Sequence, residues 1–481
     1  MNNKRLLLGM LLTFALTSVQ AKITLPSFYS DNMVLQQQTT VTLTGKANKN
    51  TSVRVSPSWN KETYRVKSDA SGSWTLQMPT PVAGGPYDIR LSDGEERTLK
   101  NVLIGEVWFC SGQSNMHMPM SGVAGQPIEE TDEYIMKARP SKPIRMFTVG
   151  LKDGEWSTQA STTPKEDCVG EWLTHTPAHV AQTSAVGYFF AHYLQESLDV
   201  PVGIIVSARG SAKIEPWISR ETLSKIDGVD LSVLDNYSIG TNDSKPPCVL
   251  YNAGIAPFRS YTIKGFLWYQ GESNVKEVDH YAPLLHAFVG DMRNLWKNDK
   301  LPFYCVEIAP YMYEGVNKTN GAKMRQVQQQ CMDEIPHCGL VTNLDLGHPV
   351  FIHPQKKRTV GKRLALWALC ENYGMKGIDY KTPIYDSMKI EGDKIRINVK
   401  NAGRGIGPLW CGLEGFEIAG EDRVFHKAHA HVVGNVSHCI EVRSEEVPHP
   451  VAVRYAFKNY ATSSVYNSNH IPLASFRTDN W

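Results

Sequence analysis

Between residues 104 and 377 the sequence alternates two kinds of segment, and this alternation is the strongest constraint on the fold. Short apolar runs rich in β-branched and aromatic residues are typical of buried strands, and longer amphipathic segments are typical of helices. Such alternation predicts a mainly parallel sheet with helices on both faces. The predicted strands cover residues 102–109, 202–208, 264–270, 303–309 and 339–346, and the predicted helices cover 184–198, 280–298, 323–335 and 355–373.

The regions on either side of this segment lack helical periodicity. Residues 22–103 and 378–481 consist of short alternating runs separated by clusters of turn-forming residues, which predict β structure. A chain of 481 residues also exceeds what one hydrophobic core usually serves. We therefore expect an N-terminal β domain (22–103), a central α/β domain (104–377) and a C-terminal β region (378–481).

The first 21 residues have the pattern of a signal peptide. Lys4 and Arg5 precede an apolar run of eleven residues, and the segment ends in small residues at Ala21. The alternative is an uncleaved anchor, but eleven apolar residues are few for crossing a bilayer. No cysteine follows the cleavage point, so a lipid anchor is not expected. The prediction is export, to the periplasm or the medium.

Charge and cysteine content exclude several classes of function. Removal of the leader takes away Lys4 and Arg5 and leaves a formally neutral chain. A neutral chain argues against nucleic acid or an anionic membrane surface as a partner. The nine cysteines show neither a CxxC pair nor a Cys/His spacing typical of zinc, so no metal site is predicted. The oligomeric state stays open.

Polar turns follow four of the predicted strands. They read CSGQSN, RGSAKIEPW, GESN and GHPVFIHP. In open sheets with parallel strands, ligands bind beyond the carboxyl ends of the strands, so these turns are expected to meet at one edge. Each turn alone is as well explained by ordinary chain reversal. Their convergence favours a catalytic site.

Two side chains in these turns have the chemistry of acyl transfer. Ser114 sits at a strand-to-loop turn, where a nucleophilic hydroxyl can be lifted clear of the backbone. His353 lies just before a predicted helix, and imidazole exchanges protons near neutral pH. One histidine among 15 is more often structural than catalytic. The glycine-rich turns around Gly210 and Gly271 add N–H donors suited to a developing oxyanion.

Several motifs together resemble the sialate O-acetylesterase family of SGNH-type hydrolases. They are GQSNM (112–116), LWYQGESN (267–274), IHP (352–354) before a basic helix, FRTDNW (476–481) and LPSFYSDNMVLQQ (25–37). Each motif is short, but the combination is specific and covers nearly the whole mature chain. The resemblance implies a flavodoxin-like three-layer α/β/α esterase domain with N- and C-terminal accessory β domains. It also implies hydrolysis of O-acetyl esters on sugars, classically sialic acids, without a cofactor.

The resemblance assigns roles residue by residue. Ser114 is the expected nucleophile, and His353 is the expected general base and then acid. The N–H of Gly210 is an expected oxyanion donor, although ARGSAKIEPW departs from the commoner Trp-Gly-Gly-Thr form of this block. Either Asn274 or Gln270 supplies the side-chain donor, and the spacing does not choose between them.

The residue that orients the histidine is less clearly marked. Many bacterial relatives have Asp two residues before the histidine, where this chain has Phe351. We predict that Asp345, at the end of its strand, is the orienting carboxylate. A Ser–His dyad with a backbone carbonyl in place of the acid is the alternative. Gln113 and Trp217 are predicted to bind substrate, with core packing as the equal alternative for Trp217.

The predicted function is therefore an exported serine esterase that removes O-acetyl groups from sialic acids through an acetyl-serine intermediate. An acetylxylan-type polysaccharide deacetylase is the alternative among enzymes. A glycan-binding protein with little activity is the alternative from another class, and Phe351 favours it. The basic run QKKRTVGKR (355–363) is interpreted as a solvated helix face, with binding of a sialic acid carboxylate as a weaker hypothesis.

Overall fold

The computed structural model describes residues 23–240, 242–434 and 438–481. The predicted signal peptide, Met1–Ala21, lies outside these residues. Within them, no helix has the length and apolar character that crossing a bilayer requires.

The N-terminal region is built of short strands whose side chains alternate between buried and exposed, as expected for half-buried sheets. Its first six strands are β1 (Val34–Gln36), β2 (Thr40–Lys46), β3 (Ser52–Pro57), β4 (Tyr64–Lys67), β5 (Ser73–Pro79) and β6 (Gly84–Ser92).

The seventh strand, β7 (Glu96–Gly112), joins this region to the centre of the molecule. Its first half pairs antiparallel with β6, and its second half is buried without interruption. The predicted domain boundary at residue 103 falls inside this strand. The N-terminal β strands and the central sheet therefore share one continuous strand.

The middle of the chain alternates strands and helices as the sequence predicts. The elements are α1 (Ser114–His117), α2 (Asp132–Met136), β8 (Ile144–Thr148), β9 (Leu151–Lys152), β10 (Glu155–Trp156), β11 (Trp172–Thr174), α3 (Pro177–Gln182), α4 (Ala185–Leu198), β12 (Val202–Ala208), α5 (Arg220–Leu223), α6 (Val249–Gly254), β13 (Gly265–Tyr269), α7 (Tyr281–Trp296), β14 (Phe303–Val306), α8 (Asn320–Glu334), β15 (Cys338–Val341) and α9 (Lys357–Glu371). Short 3-10 helices lie between them at Glu215–Trp217, Ser232–Leu234, Ala256–Ser260 and Glu272–His280.

The central sheet has the strand order β11-β8-β12-β7-β13-β14-β15. All of its neighbouring pairs are parallel except β11 with β8. All five predicted strands are present. The sequence pattern missed β8, a fully buried strand whose second residue is Arg145, and the short edge strand β11.

Helices cover both faces of this sheet. Trp108 of β7 belongs to a core cluster with residues of α4 and α9, whereas the next residue, Phe109, belongs to a cluster with residues of α7 and α8. Successive side chains of a strand point to opposite faces, so the two clusters lie on opposite sides of the sheet. The chain thus has a mixed α/β fold around a mostly parallel sheet, as predicted.

The C-terminal region returns to short antiparallel strands with their own apolar core. They are β16 (Ile384–Glu391), β17 (Lys394–Lys400), β18 (Ile406–Gly407), β19 (Phe416–Ala419), β20 (Phe425–Lys427), β21 (His429–Val432), β22 (Cys439–Arg443), β23 (Ala452–Tyr455), β24 (Tyr466–Asn467) and β25 (Phe476–Arg477).

Candidate active site

The carboxyl ends of three neighbouring strands meet at the predicted edge of the sheet. Gly112 at the end of β7 is in register with Ala208 of β12 on one side and with Tyr269 of β13 on the other. Ser114 and Gly210 therefore each lie two residues beyond paired positions on adjacent strands. Adjacent strands run about 4.8 Å apart, so both turns open into the same small region.

The turn that carries Ser114 requires glycine. Gly112 has a φ of +144°, which disfavours residues with a side chain, and a Cβ there would lie 2.1 Å from the carbonyl oxygen of Tyr269. The chain therefore turns sharply against β13 and starts α1 at Ser114. The Ser114 side chain is half-buried, so it is reachable from the surface.

Gln113 ties this turn to the GESN turn. Its Oε1 accepts hydrogen bonds of 3.3 Å from the N–H groups of Gly271 and Ser273, and its own N–H donates to Tyr269 O at 3.0 Å. The side chain is 3% exposed. Gln113 was predicted to bind substrate, but in the structure its buried side chain connects the serine turn to the GESN turn.

The structure brings the loops of Ser114 and His353 together. Asn115, next to the serine, donates from Nδ2 to the carbonyl oxygen of Ile352, next to the histidine, at 3.2 Å. His353 is half-buried, as Ser114 is. The hydrogen bond between Asn115 and Ile352 therefore joins the chain segments that carry Ser114 and His353.

His353 has a neutral hydrogen-bond partner. Its Nδ1 lies 3.0 Å from Oε1 of Gln126, an acceptor, so the Nδ1–H tautomer is favoured and Nε2 is left free to take a proton. Burial, helped by the nearby charge of Lys357, lowers the pKa of His353 to about 4. The imidazole is therefore neutral, as a general base must be.

Beneath the two loops lies a buried polar network. Asn115 Nδ2 donates to Oε1 of Glu272 at 2.6 Å, and Lys357 Nζ donates to Oδ1 of Asn115. The ammonium also lies 5.5 Å from the ring centre of Tyr269. Burial lowers the pKa of Lys357 to about 7 and raises that of Glu272. One asparagine thus links the serine turn, the histidine loop, the GESN turn and α9.

Two backbone amides are available to an oxyanion. The N–H of Ser114 belongs to the first turn of α1, which has no acceptor within its own helix. Among the described residues, neither this N–H nor that of Gly210 donates to another group. A Cβ on Gly210 would meet nothing within 4 Å, so the space beside this amide is open.

Gln270 is fully committed to internal contacts. Its Nε2 donates to Ala212 O at 3.0 Å and to Asn274 Oδ1 at 2.8 Å, and its Oε1 accepts from the hydroxyl of Tyr281 at 2.8 Å. An amide nitrogen has two hydrogens, and both are used. Because both hydrogens are used, the geometry disfavours Gln270 as an oxyanion donor, whereas burial does not distinguish it from Asn274, since the two residues are 0% and 1% exposed.

Asn274 retains a free donor. Its Oδ1 accepts from Gln270 and from the N–H of Ile214, which fixes the amide orientation, and its Nδ2 donates to Oε2 of Glu215 at 3.2 Å. The second Nδ2 hydrogen has no acceptor among the described residues. Of the two candidates that the sequence left open, Asn274 alone has a donor to offer.

The structure gives Asp345 a partner other than His353. Both of its oxygens accept from the guanidinium of Arg363, at 2.8 and 2.7 Å, and the two side chains are 10% and 5% exposed. Arg363 also donates to His470 O at 3.2 Å. The place that a triad acid would take, at Nδ1 of His353, is held by Gln126. Through its ion pair with Arg363, Asp345 therefore connects the segment after β15 to α9 and to the C-terminal region. We call this pair the Asp345–Arg363 clamp.

Trp217 is in the core. It is 0% exposed and packs edge-on against Trp268, with ring centres 6.3 Å apart. A side chain without exposed surface cannot contact a substrate, so core packing, the equal alternative from the sequence, describes Trp217.

Sequence reasoning missed the residues that support the site. Gln126 lies in an irregular loop whose sequence gives no signal. Lys357 was assigned to a solvated helix face, but it is the first residue of α9 and is 0% exposed. Asn115 and Glu272 were quoted only as parts of motifs. Their adjacency depends on two strands meeting in space.

The fold and the site define a carboxylic ester hydrolase, with a hydroxyl, a neutral imidazole and uncommitted amides at the edge of a mostly parallel sheet. Residues 104–370 match the family described as carbohydrate esterase, sialic acid-specific acetylesterase, and the chain belongs to that family.

Known proteins similar to this chain include enzymes of this kind. Human sialate O-acetylesterase is 28% identical in an alignment of 407 residues that covers 78% of this chain and 75% of the human protein. The mouse sialate O-acetylesterase is 27% identical in an alignment of 414 residues that covers 74% of this chain and 75% of that protein. The crystal structure of a carbohydrate acetylesterase from Xanthomonas citri superposes with a TM-score of 0.85 at 31% identity, over 96% of this chain and all of that one.

Proposed function

We propose that this chain removes O-acetyl groups from sialic acids through an acetyl-serine intermediate at Ser114. The observation that carries the proposal is the contact between the serine turn and the histidine loop through Asn115 and Ile352. Export after removal of Met1–Ala21 is part of the proposal and rests on the pattern of that segment. An SGNH-type α/β/α arrangement is also part of the proposal, and the helices on both faces of the sheet support it.

In the proposed mechanism, Ser114 Oγ attacks the acetyl carbonyl carbon and Nε2 of His353 accepts the hydroxyl proton. The oxyanion is held by the N–H groups of Ser114 and Gly210 and by Nδ2 of Asn274. The bond from the carbonyl carbon to the sugar oxygen then breaks, and His353 returns the proton to that oxygen. Gln126 Oε1 holds Nδ1–H throughout.

Deacetylation repeats these steps with water. A water molecule gives a proton to Nε2 of His353 and attacks the acetyl-serine carbonyl, and the collapse of the intermediate releases acetate and restores the Ser114 hydroxyl. The neutral amide of Gln126 orients the imidazole without neutralising the imidazolium. The low pKa of His353 keeps the base unprotonated before each attack.

The test is acetate release from 4-nitrophenyl acetate, from O-acetylated sialic acid and from acetylated xylan. It compares the mature protein with Ser114→Ala and with the control Ser121→Ala, an exposed serine seven residues on. We expect Ser114→Ala to abolish release and Ser121→Ala to retain it, with the sialic acid ester preferred. Preference for xylan would favour the polysaccharide deacetylase. Absence of release from every ester would overturn the enzyme mechanism and favour glycan binding.

A further inference from the structure

Arg209 is a half-buried arginine that lies next to the serine turn and whose guanidinium has no partner among the described residues. It follows β12 directly, and its N–H donates to Gly112 O at 3.0 Å, two residues before Ser114. The side chain is half-buried. Within the described part of the chain its guanidinium makes no hydrogen bond and no ion pair, although five N–H donors are available. A partly desolvated, unpaired guanidinium suits an anionic ligand.

The charge of Arg209 acts on the helix that begins with Ser114. That charge, after burial, contributes to lowering the pKa of His117, the last residue of α1. The same charge also acts weakly on Tyr237, whose hydroxyl donates to Asp243. Asp243 also accepts from the N–H of Gly240 at 2.7 Å, so this carboxylate is engaged by groups other than Arg209.

An exposed indole lies beside the same histidine. Trp156 is 53% exposed, and its ring centre lies 4.9 Å from that of His117. It belongs to the β9–β10 hairpin, which follows β8, the neighbour of β12 in the sheet. The indole therefore lies beside a histidine on which the charge of Arg209 also acts, three residues after Ser114.

Three other cations near the site have partners, and a fourth, Lys356, is exposed. Lys357 is buried against Asn115, Arg358 pairs with Glu130 at 2.9 Å, and Arg363 is held by Asp345. The basic helix face is thus a weaker candidate for a substrate anion than Arg209.

We propose that Arg209 and Trp156 form an acidic-sugar subsite next to Ser114. The guanidinium binds a carboxylate on the acetylated sugar with two parallel hydrogen bonds, and the indole covers the apolar edge of the sugar. This inference rests on the proposed function and deepens it, because it assigns the residues that select a sugar with a carboxylate. Neutral acetylated sugars lack the group that Arg209 binds.

The test compares acetate release from O-acetylated sialic acid and from its methyl ester, which removes the negative charge and keeps the acetyl groups. For the wild type we expect kcat/KM to be about 10- to 100-fold higher for the free acid, the range of a charge-assisted hydrogen bond. Arg209→Gln should bring this ratio close to one. Arg209→Lys keeps the charge but cannot form two parallel hydrogen bonds, so it should give an intermediate ratio. Lys152→Gln, an exposed cation on the β9–β10 hairpin, should keep the wild-type ratio.

Because the ratio is taken within each variant, it is independent of the fraction of folded protein. A wild-type ratio near one, with acetate released from both compounds, overturns the subsite and leaves the proposed function standing. A wild-type ratio retained by Arg209→Gln also overturns it. Absence of acetate from both compounds and from 4-nitrophenyl acetate instead overturns the proposed function.

Discussion

Nδ1 of His353 is hydrogen-bonded to the neutral side chain of Gln126, whereas in many serine hydrolases a carboxylate occupies this position. A carboxylate at Nδ1 stabilises the imidazolium, whereas the Gln126 amide fixes the tautomer without adding charge. Burial and the positive charge of Lys357 both disfavour the protonated ring. The residue is therefore a base that stays unprotonated in mildly acidic solution.

This environment predicts the pH dependence of the reaction. Because burial lowers the pKa of His353 to about 4, the acid limb of kcat/KM should fall near pH 4. At pH 5 about nine-tenths of the rings would be in the basic form, against about 3% for an unperturbed histidine. The measurement is kcat/KM for 4-nitrophenyl acetate across this range. Gln126→Glu should move the limb to higher pH, and a wild-type limb near 6.5 would contradict the assignment.

At the scale of elements, a hydrogen bond from Lys357 to Asn115 joins α9 to α1. The helix that begins with Ser114 and the helix that follows His353 are thus fixed to each other and to Glu272 in the GESN turn. A buried network of this kind positions the catalytic elements without touching the substrate. Its effect should appear in the pH profile as well as in the rate.

Lys357→Met tests this network. The change removes the charge that lowers the pKa of His353 and leaves its burial intact, so the acid limb should move up from about 4 and stay below 6.5. The rate should fall because Asn115 loses a partner, at a cost of about 1–3 kcal/mol. Lys356→Met, at the exposed neighbouring position, is the matched control and should behave as the wild type. An unmoved acid limb in Lys357→Met would show that its charge does not act on His353.

At the scale of the whole molecule, the Asp345–Arg363 pair holds the central sheet, α9 and the C-terminal region together. Arg363 reaches the carboxylate, Thr342 O and His470 O at once. Breaking a buried pair by neutralising one partner leaves the other charge uncompensated, at a typical cost of about 3–5 kcal/mol.

Asp345→Asn separates this clamp from a catalytic role. We expect the free energy of unfolding to fall by about 3 kcal/mol in denaturant titrations, with kcat changing by less than about threefold. Asp333→Asn, which breaks an exposed pair with Lys400, should cost no more than about 1 kcal/mol. A loss of about 10⁴-fold in kcat with unchanged stability would instead restore Asp345 as the triad acid.

The sequence predicted the elements because their periodicity is local. The apolar runs at 202–208 and 264–270 became β12 and β13 with almost the same limits. It missed β8, because the buried Arg145 interrupts the apolar run that marks a core strand. The boundary at 103 was also misleading, because β7 takes part in both the N-terminal pairing and the central sheet.

The sequence predicted only those residues of the candidate site that stand in a motif of consecutive residues. Ser114 and His353 stand in short recognisable segments, and the structure brings those segments together. Residue type alone suggested Gln113 and Trp217 as substrate contacts, but their burial depends on packing that no local pattern encodes. Gln126 and the choice of Asn274 over Gln270 follow from hydrogen bonds between distant loops.

The most direct test of the central claim is covalent. O-acetylated sialic acid would be mixed with the wild type and with Ser114→Ala, each reaction would be quenched rapidly in acid, and the peptide that contains residue 114 would be weighed by mass spectrometry. The account predicts that the wild-type peptide gains the mass of one acetyl group during turnover, and that Ser114→Ala never does. Acetate release by the wild type without any acetylated Ser114 peptide would contradict the serine mechanism.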